Sequence, residues 1–134
     1  MTIKRIKPGP RLSQAVVHGD TVYIAGQVAE DKSRDVTGQT RQILAQIDRL
    51  LAQAGSSRVR LLWVNIWLAD MTDFAAMNAV WEAWIPPGQT PARATVESRL
   101  AGPQFKVEIA VTAAKNPNKA AARRPKSRAR RRKP

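Results

Sequence analysis

Residues 61–69 read LLWVNIWLA. If this is a strand, its alternation puts Leu62, Val64, Ile66 and Leu68 on one face and Leu61, Trp63, Asn65 and Trp67 on the other, so both faces are largely apolar. One layer of helices covers only one of them. The Trp face therefore needs a second layer or another subunit.

Working outward, Thr37 predicts the cap of a helix on which Ile43, Leu44, Ile47, Leu50, Leu51 and Ala54 recur at helical spacing, with Gly55 as its stop. Further upstream, QAVVHGDTVYIAGQV at 14–28 reads as two β-branched runs around His18-Gly19-Asp20, a hairpin with His18 at its tip as a turn residue. Downstream, Asp70, Thr72 and Asp73 open a second helix with Phe74, Met77, Trp81 and Trp84 on its apolar stripe, closed before Pro86-Pro87-Gly88. Residues 92–100 and 105–113 read as two final strands joined through 101–104. The expected order is β-β-α-β-α-β-β, an α+β layer of two helices on one sheet.

The 134 residues carry 23 Lys and Arg against 10 Asp and Glu, a net charge of +13, with one His and no Cys. That length makes one ordinary domain, and at 43% hydrophobic residues it buries a real core. Ten of the basic residues fall in residues 115–134, which hold no acid. Residues 1–114 keep 13 basic against 10 acidic residues, so the domain carries only +3. The expectation is a domain over 1–114 and a disordered basic tail over 115–134. Without Cys there is no disulfide framework or thiol nucleophile, and His18 alone leaves a zinc or haem site short of ligands. No apolar leader follows Lys4, Arg5 and Lys7, and no uncharged apolar run approaches the ~20 residues that span a bilayer, so a cytoplasmic protein with no membrane partner is expected.

Chemistry concentrates in the last two strands. Arg93, Thr95 and Glu97 share one strand face, while in the next strand Lys106 and Glu108 lie opposite Val107, Ile109 and Val111. If these strands pair as a hairpin with Thr95 across from Glu108, Arg93 comes in diagonally at ~7–8 Å. A guanidinium would then grip a carboxylate by two parallel hydrogen bonds beside a carboxylate able to deprotonate water. The same residues could instead meet across a subunit boundary. From pattern alone, a solvated, charge-paired sheet face is the commoner arrangement.

The stretch PARATVESRLA at 91–101, followed after five residues by Val107-Glu108-Ile109, resembles the signature of the RidA/YjgF family of reactive imine/enamine deaminases. The likeness continues through Gly9-Pro10 with Ser13-Gln14-Ala15-Val16, Gly19-Asp20-Thr21-Val22-Tyr23 with Ala25-Gly26-Gln27, Gln39-Thr40, and Met77-Asn78 with Trp81 and Trp84, covering about residues 5–114. It implies a chorismate-mutase-like subunit assembled as a homotrimer with ligand clefts between subunits, which would cover the Trp63 and Trp67 face. It also implies hydrolysis of 2-imino or enamine acids such as 2-aminoacrylate to a 2-keto acid and ammonia, as in 2-iminobutanoate/2-iminopropanoate deaminases, with no cofactor.

By that likeness Arg93 binds the substrate carboxylate, Glu108 positions the attacking water, backbone near Gly26 helps hold the substrate, and Asn78 lies near the cleft. Three positions depart from the family pattern. Leu12 stands near the place of the site tyrosine, Ala25 replaces a frequent Ser, and Thr95 replaces a frequent Cys. One unmatched hydrogen bond in a small pocket shifts discrimination by ~1–3 kcal/mol, so these positions bear on substrate range. A noncatalytic trimer that binds small carboxylates, or a regulator, is the alternative they permit. The tail at 115–134 supports a third reading, nonspecific association with nucleic acid, because it offers many cations and no aromatic for base stacking.

Overall fold

The computed structural model describes residues 1–117, and the expectation of a disordered tail concerns residues outside that range apart from its first three. The strands are β1 (Ile3–Pro8), β2 (Ser13–His18), β3 (Thr21–Gln27), β4 (Leu61–Leu68), β5 (Ala92–Glu97) and β6 (Val107–Ala114); the helices are α1 (Val36–Gln53) and α2 (Phe74–Trp84). They form one six-stranded sheet in the order β1-β2-β3-β6-β4-β5, with both helices on one face. β4 and β5 run parallel, and every other neighbouring pair is antiparallel.

β4 explains much of this layout. Val64, Ile66 and Leu68 are buried beneath the helices, and Trp63, on the other face, is 42% exposed. Having no charge and two apolar faces, the strand is stable only with a partner on each edge, and it takes β6 and β5. β6 buries Val107, Ile109, Val111 and Ala113 on the helix side and occupies an interior place between β3 and β4. β5, with Arg93, Thr95 and Glu97, takes the outer edge, where polar side chains discourage pairing with another chain.

The expected hairpin between the last two strands does not form, because β4 lies between them. Their connection steps over the end of β4: Ser98 N–H donates to Leu68 O at 2.9 Å and Ala69 N–H to Lys106 O at 3.0 Å. The strand predicted over 92–100 accordingly ends at Glu97.

β1 is an addition to the expected order. Its sequence, IKRIKP, buries only Ile6, so no alternation announced it; the strand exists because the regular edge of β2 accepts it. The α1 cap is likewise two residues earlier than expected, with the Asp35 carboxylate accepting from Gly38 N–H at 2.9 Å. At its other end Gly55, at φ +79°, donates to Ala52 O while Ser56 N–H reaches Leu51 O, the paired bonds of a Schellman stop.

Ile43, Leu44, Ile47, Leu50 and Leu51 of α1 fill the core, each worth ~1.5–3 kcal/mol of burial. α2 adds Met77 and Trp81. It is tied to α1 through Asp48, whose carboxylate accepts from Trp84 Nε1 at 3.0 Å and from Arg58 Nη2 at 2.6 Å. Arg58 also donates to Trp84 O and stacks on the Trp84 ring.

Candidate functional site

Arg93 points from β5 to the helix side, in register with Val64 of β4. Its guanidinium lies 5.5 Å from the centroid of the Trp81 ring, a platform the sequence read only as core. Partial burial lowers its pKa, and Glu82 of α2 opposes that shift. A guanidinium stays charged across the useful pH range regardless. Among the described residues the Arg93 guanidinium forms no hydrogen bond or ion pair, so its planar fork is free. Thr95 shares this face, and its Oγ1 is buried without a partner. Asn78, half-buried on α2, is one turn before Trp81 and Glu82 and so lies on the same side. Glu97, the third residue of the predicted face, is engaged elsewhere: its Oε1 accepts from Met71 N–H at 2.9 Å.

Glu108 lies on the other face. It is in register with Trp67 of β4, and β6 carries its buried residues toward the helices and Glu108 away from them. Gly26 meets it there. The register between β3 and β6 slips between Ile24 and Gln27, leaving Ala25 and Gly26 in a bulge, and a Cβ on residue 26 would overlap the Glu108 carboxylate. Glycine at 26 is thus required by close approach, as a strand glycine often is. Burial raises the Glu108 pKa, and the side chain has no ion-pair partner among the described residues.

Three glutamines brace this bulge. Gln27 Nε2 donates to Ala25 O at 3.0 Å and to Gln14 Oε1 at 2.9 Å, and Gln46 Nε2 on α1 donates to Gln27 Oε1 at 3.2 Å and Val28 O at 3.1 Å. Gln14 and Gln27 entered the sequence reading only through the resemblance, and Gln46 not at all; an amide on the buried stripe of an amphipathic helix was the available signal. Leu12, 53% exposed, is in the β1–β2 turn, where its carbonyl accepts from Gly9 N–H at 2.8 Å.

The predicted residues therefore separate into two groups. Arg93, Thr95 and Asn78 are on the helix side of an edge strand, while Gly26 and Glu108 meet on the open side, with Ala25 in the same bulge. Arg93 and Glu108 are two strands apart, ~10 Å sideways, and on opposite faces, so a small substrate cannot touch both within one subunit. The juxtaposition expected from a hairpin is corrected accordingly. The open face also leaves Tyr23, Trp63 and Val96 each about half exposed, an apolar surface of the kind another subunit covers. Among the described residues no three His, Cys, Asp or Glu side chains gather as metal ligands, and no helix is long and apolar enough to cross a membrane.

Comparison with known proteins gives concordant findings. The family model described as endoribonuclease L-PSP matches residues 2–115. The RutC family protein YoaB of Escherichia coli strain K12 is 46% identical over 114 residues, covering 85% of this chain and 99% of that protein. A crystal structure of a YjgF family member from Neisseria meningitidis superposes with a TM-score of 0.86 at 45% identity, covering 88% of this chain and 98% of that one. A crystal structure of an uncharacterized Pseudomonas aeruginosa protein gives 0.84 at 46% identity, covering 86% of this chain and all of that one. The family match ends at residue 115, where the basic run begins.

Proposed function

This chain belongs to the RutC/YjgF family, matched by the endoribonuclease L-PSP model, and from that premise we propose that it is a homotrimeric hydrolytic deaminase of 2-imino and enamine acids. The observation that carries the reading is the pair of incomplete half-sites. Among the described residues, a half-buried guanidinium without a partner and a half-buried carboxylate without a counter-ion lie on opposite faces of one subunit. Each half becomes useful when a second copy brings the missing one, and a trimer closed through the Tyr23, Trp63 and Val96 face does so three times.

The Arg93 fork binds the substrate carboxylate by two charge-assisted hydrogen bonds and leaves the imine carbon beside Glu108 of the neighbouring copy. Glu108 takes a proton from water as the oxygen attacks that carbon, giving a carbinolamine. It passes that proton to nitrogen, then takes the hydroxyl proton as the carbonyl forms and returns it to the departing nitrogen as the C–N bond breaks, so both water protons reach nitrogen and a 2-keto acid and ammonia leave. An enamine substrate first takes a proton at its terminal carbon to become the imine. Water is the only co-reactant, so the balance closes without a cofactor. Leu12, Ala25 and Thr95 set the polarity of the cleft and select among side chains, and Asn78 lines it on the Arg93 side.

The test couples a dehydratase that generates 2-aminoacrylate to this protein and follows keto-acid release. Wild type should accelerate it, and Arg93→Ala and Glu108→Gln should each remove the acceleration. Co-expression of the two variants should then restore about a quarter of wild-type activity, because a randomly mixed trimer rebuilds complete sites where an intact Glu108 meets an intact Arg93. Two inactive variants that stay inactive when mixed would place the site inside one subunit. Absence of turnover by wild type would remove the deaminase reading and leave a trimer that binds carboxylates.

A further inference from the structure

A cavity of about 380 Å³ lies between α1 and the ends of β1, β2 and β3. Gln46, Arg49 and Leu50 of α1 wall it on the helix side of the sheet, whereas the Glu108 carboxylate meets Gly26 on the open side. Neither Arg93 nor Glu108 lines it, and of the residues assigned to the deaminase reading only Gly26 borders both places.

Its wall holds a chain of three amides that has a direction. Gln46 Nε2 uses both N–H bonds, on Gln27 Oε1 and Val28 O, and Gln27 Nε2 uses both on Ala25 O and Gln14 Oε1. Each orientation is fixed, because a flip would set oxygen against oxygen or nitrogen against nitrogen. Among the described residues the chain therefore ends in an unused donor, Gln14 Nε2, and an unused acceptor, Gln46 Oε1. Gln46 is only 9% exposed, and a buried acceptor without a partner costs ~1–3 kcal/mol. Hydrogen bonds in series polarise one another, which strengthens both free ends.

The charged side chains follow the same polarity. Lys7 falls opposite Gln14, between the registered pairs Ile6–Ala15 and Pro8–Ser13, and lines the cavity with it at the donor end. Lys7 holds φ +50°, the one left-handed non-glycine among the described residues, a conformation that costs ~1–3 kcal/mol and is kept where a ligand clamp needs it. Arg49 follows Gln46 by one turn of α1, and its pairing with Glu30 at 3.8 Å joins two largely exposed side chains, so it holds Glu30 weakly. Val28 and Leu50 supply apolar wall.

We infer that this cavity binds a small linear zwitterion of the ω-amino acid class. Its carboxylate accepts from Lys7 and Gln14 Nε2, its ammonium donates to Gln46 Oε1 and Glu30, and its methylenes lie along Val28 and Leu50. A dicarboxylate would meet Glu30 and a diamine would meet Lys7, so each is rejected by like charge. An α-amino acid holds its two charges too close together to reach both ends of a three-amide chain.

The test titrates the isotope-labelled full chain with 5-aminopentanoate and follows the glutamine side-chain amide resonances, which report the contacts directly. The Gln14 and Gln46 amides should shift saturably. Pentanoate and pentylamine, each lacking one charged end, should bind ~10-fold more weakly or worse, the loss of one charge-assisted hydrogen bond. Lys7→Ala should weaken 5-aminopentanoate by a similar factor and leave pentylamine unchanged, and Glu30→Gln should weaken it and leave pentanoate unchanged. Both replace exposed side chains, and circular dichroism should show both folded. Arg93→Ala should bind as wild type does. Absence of saturable shifts overturns the inference, as does a Lys7→Ala or Glu30→Gln variant that keeps wild-type affinity. Pentanoate binding as tightly as the amino acid would leave a plain anion site, and loss of binding in Arg93→Ala would move the ligand to the deaminase cleft; either result also overturns it. Failure of the deaminase assay leaves every one of these expectations in place.

Discussion

The two halves of the candidate site are built on opposite plans. The Arg93 half stands on an edge strand, against an indole ring, with its hydrogen-bonding fork left free. The Glu108 half stands on an interior strand, with its carboxylate pressed onto a glycine in a bulge that three glutamines brace. A cation that must capture a ligand gains from an open edge and an aromatic support that leaves its donors unused. In the proposed reaction a carboxylate that accepts a proton gains from partial burial, which raises its proton affinity. The two groups are comparably half-buried, so the halves differ in what surrounds them: an indole ring on one side and a braced bulge on the other.

That contrast is open to direct attack. The largest effect should come from Glu108→Gln, which keeps shape and removes the base: kcat should fall by ~10²–10⁴ with KM little changed. A comparable loss in KM alone would mean that Glu108 binds and does not catalyse. Arg93→Ala should lower kcat/KM by ~10²–10³, chiefly through KM, and Arg93→Lys should recover only part because the fork is lost. Full recovery by lysine would show that a point charge suffices. Gly26→Ala should cost ~10–10² in kcat, since the new Cβ displaces the Glu108 carboxylate while leaving the Arg93 half intact. Unchanged kcat would dissolve the link between bulge and base.

The smallest effect is thermodynamic. Burial raises the Glu108 pKa above its ordinary 4.5, so the native state holds that proton more tightly than the unfolded chain does. Stability contributed by this group is therefore full below the ordinary value and declines as pH rises through the raised one. The Tm of Glu108→Gln minus that of wild type should be near zero in acid and grow positive across that window. The acid limb of kcat/KM in wild type should lie in the same window, above the ordinary glutamate range. A difference that shrinks with rising pH would mean that an unrecognised donor stabilises the carboxylate.

Much of the fold was legible in the sequence because its carriers are local. Ile43, Leu44, Ile47 and Leu51 mark α1 by spacing, and the two apolar faces of residues 61–69 mark a strand that needs cover on both sides. β1 was not legible, because a strand that buries one side chain is made by its neighbour and leaves no periodicity of its own. The pairing of the last strands was misread for a related reason: adjacency in sequence suggested a hairpin, and the partner that intervenes, β4, is distant in sequence. The candidate residues came as a set from the family resemblance around Arg93 and Glu108, and the geometry among them did not come with it. Alternation places Arg93 and Thr95 on a common face, yet it says nothing about which face of a different strand Glu108 joins. Trp81 beneath the guanidinium and Gln46 beneath the bulge were equally hidden, since both come from helices whose docking is set by the finished core.

The interior place of β6 also governs the order of events during synthesis. The strand that joins the β1–β2–β3 meander to the β4–α2–β5 unit is the last of the described strands to leave the ribosome. Until it emerges, the strand edges of β3 and β4 that will flank it stay unpaired, and no sequence-local contact can stand in for them. Sheet closure thus waits for the far end of the domain, and a chain cut before Val107 is left with two pieces exposing apolar strands to each other's neighbours. Such a fragment should aggregate, where a subunit that has merely shed its basic extension keeps its sheet whole.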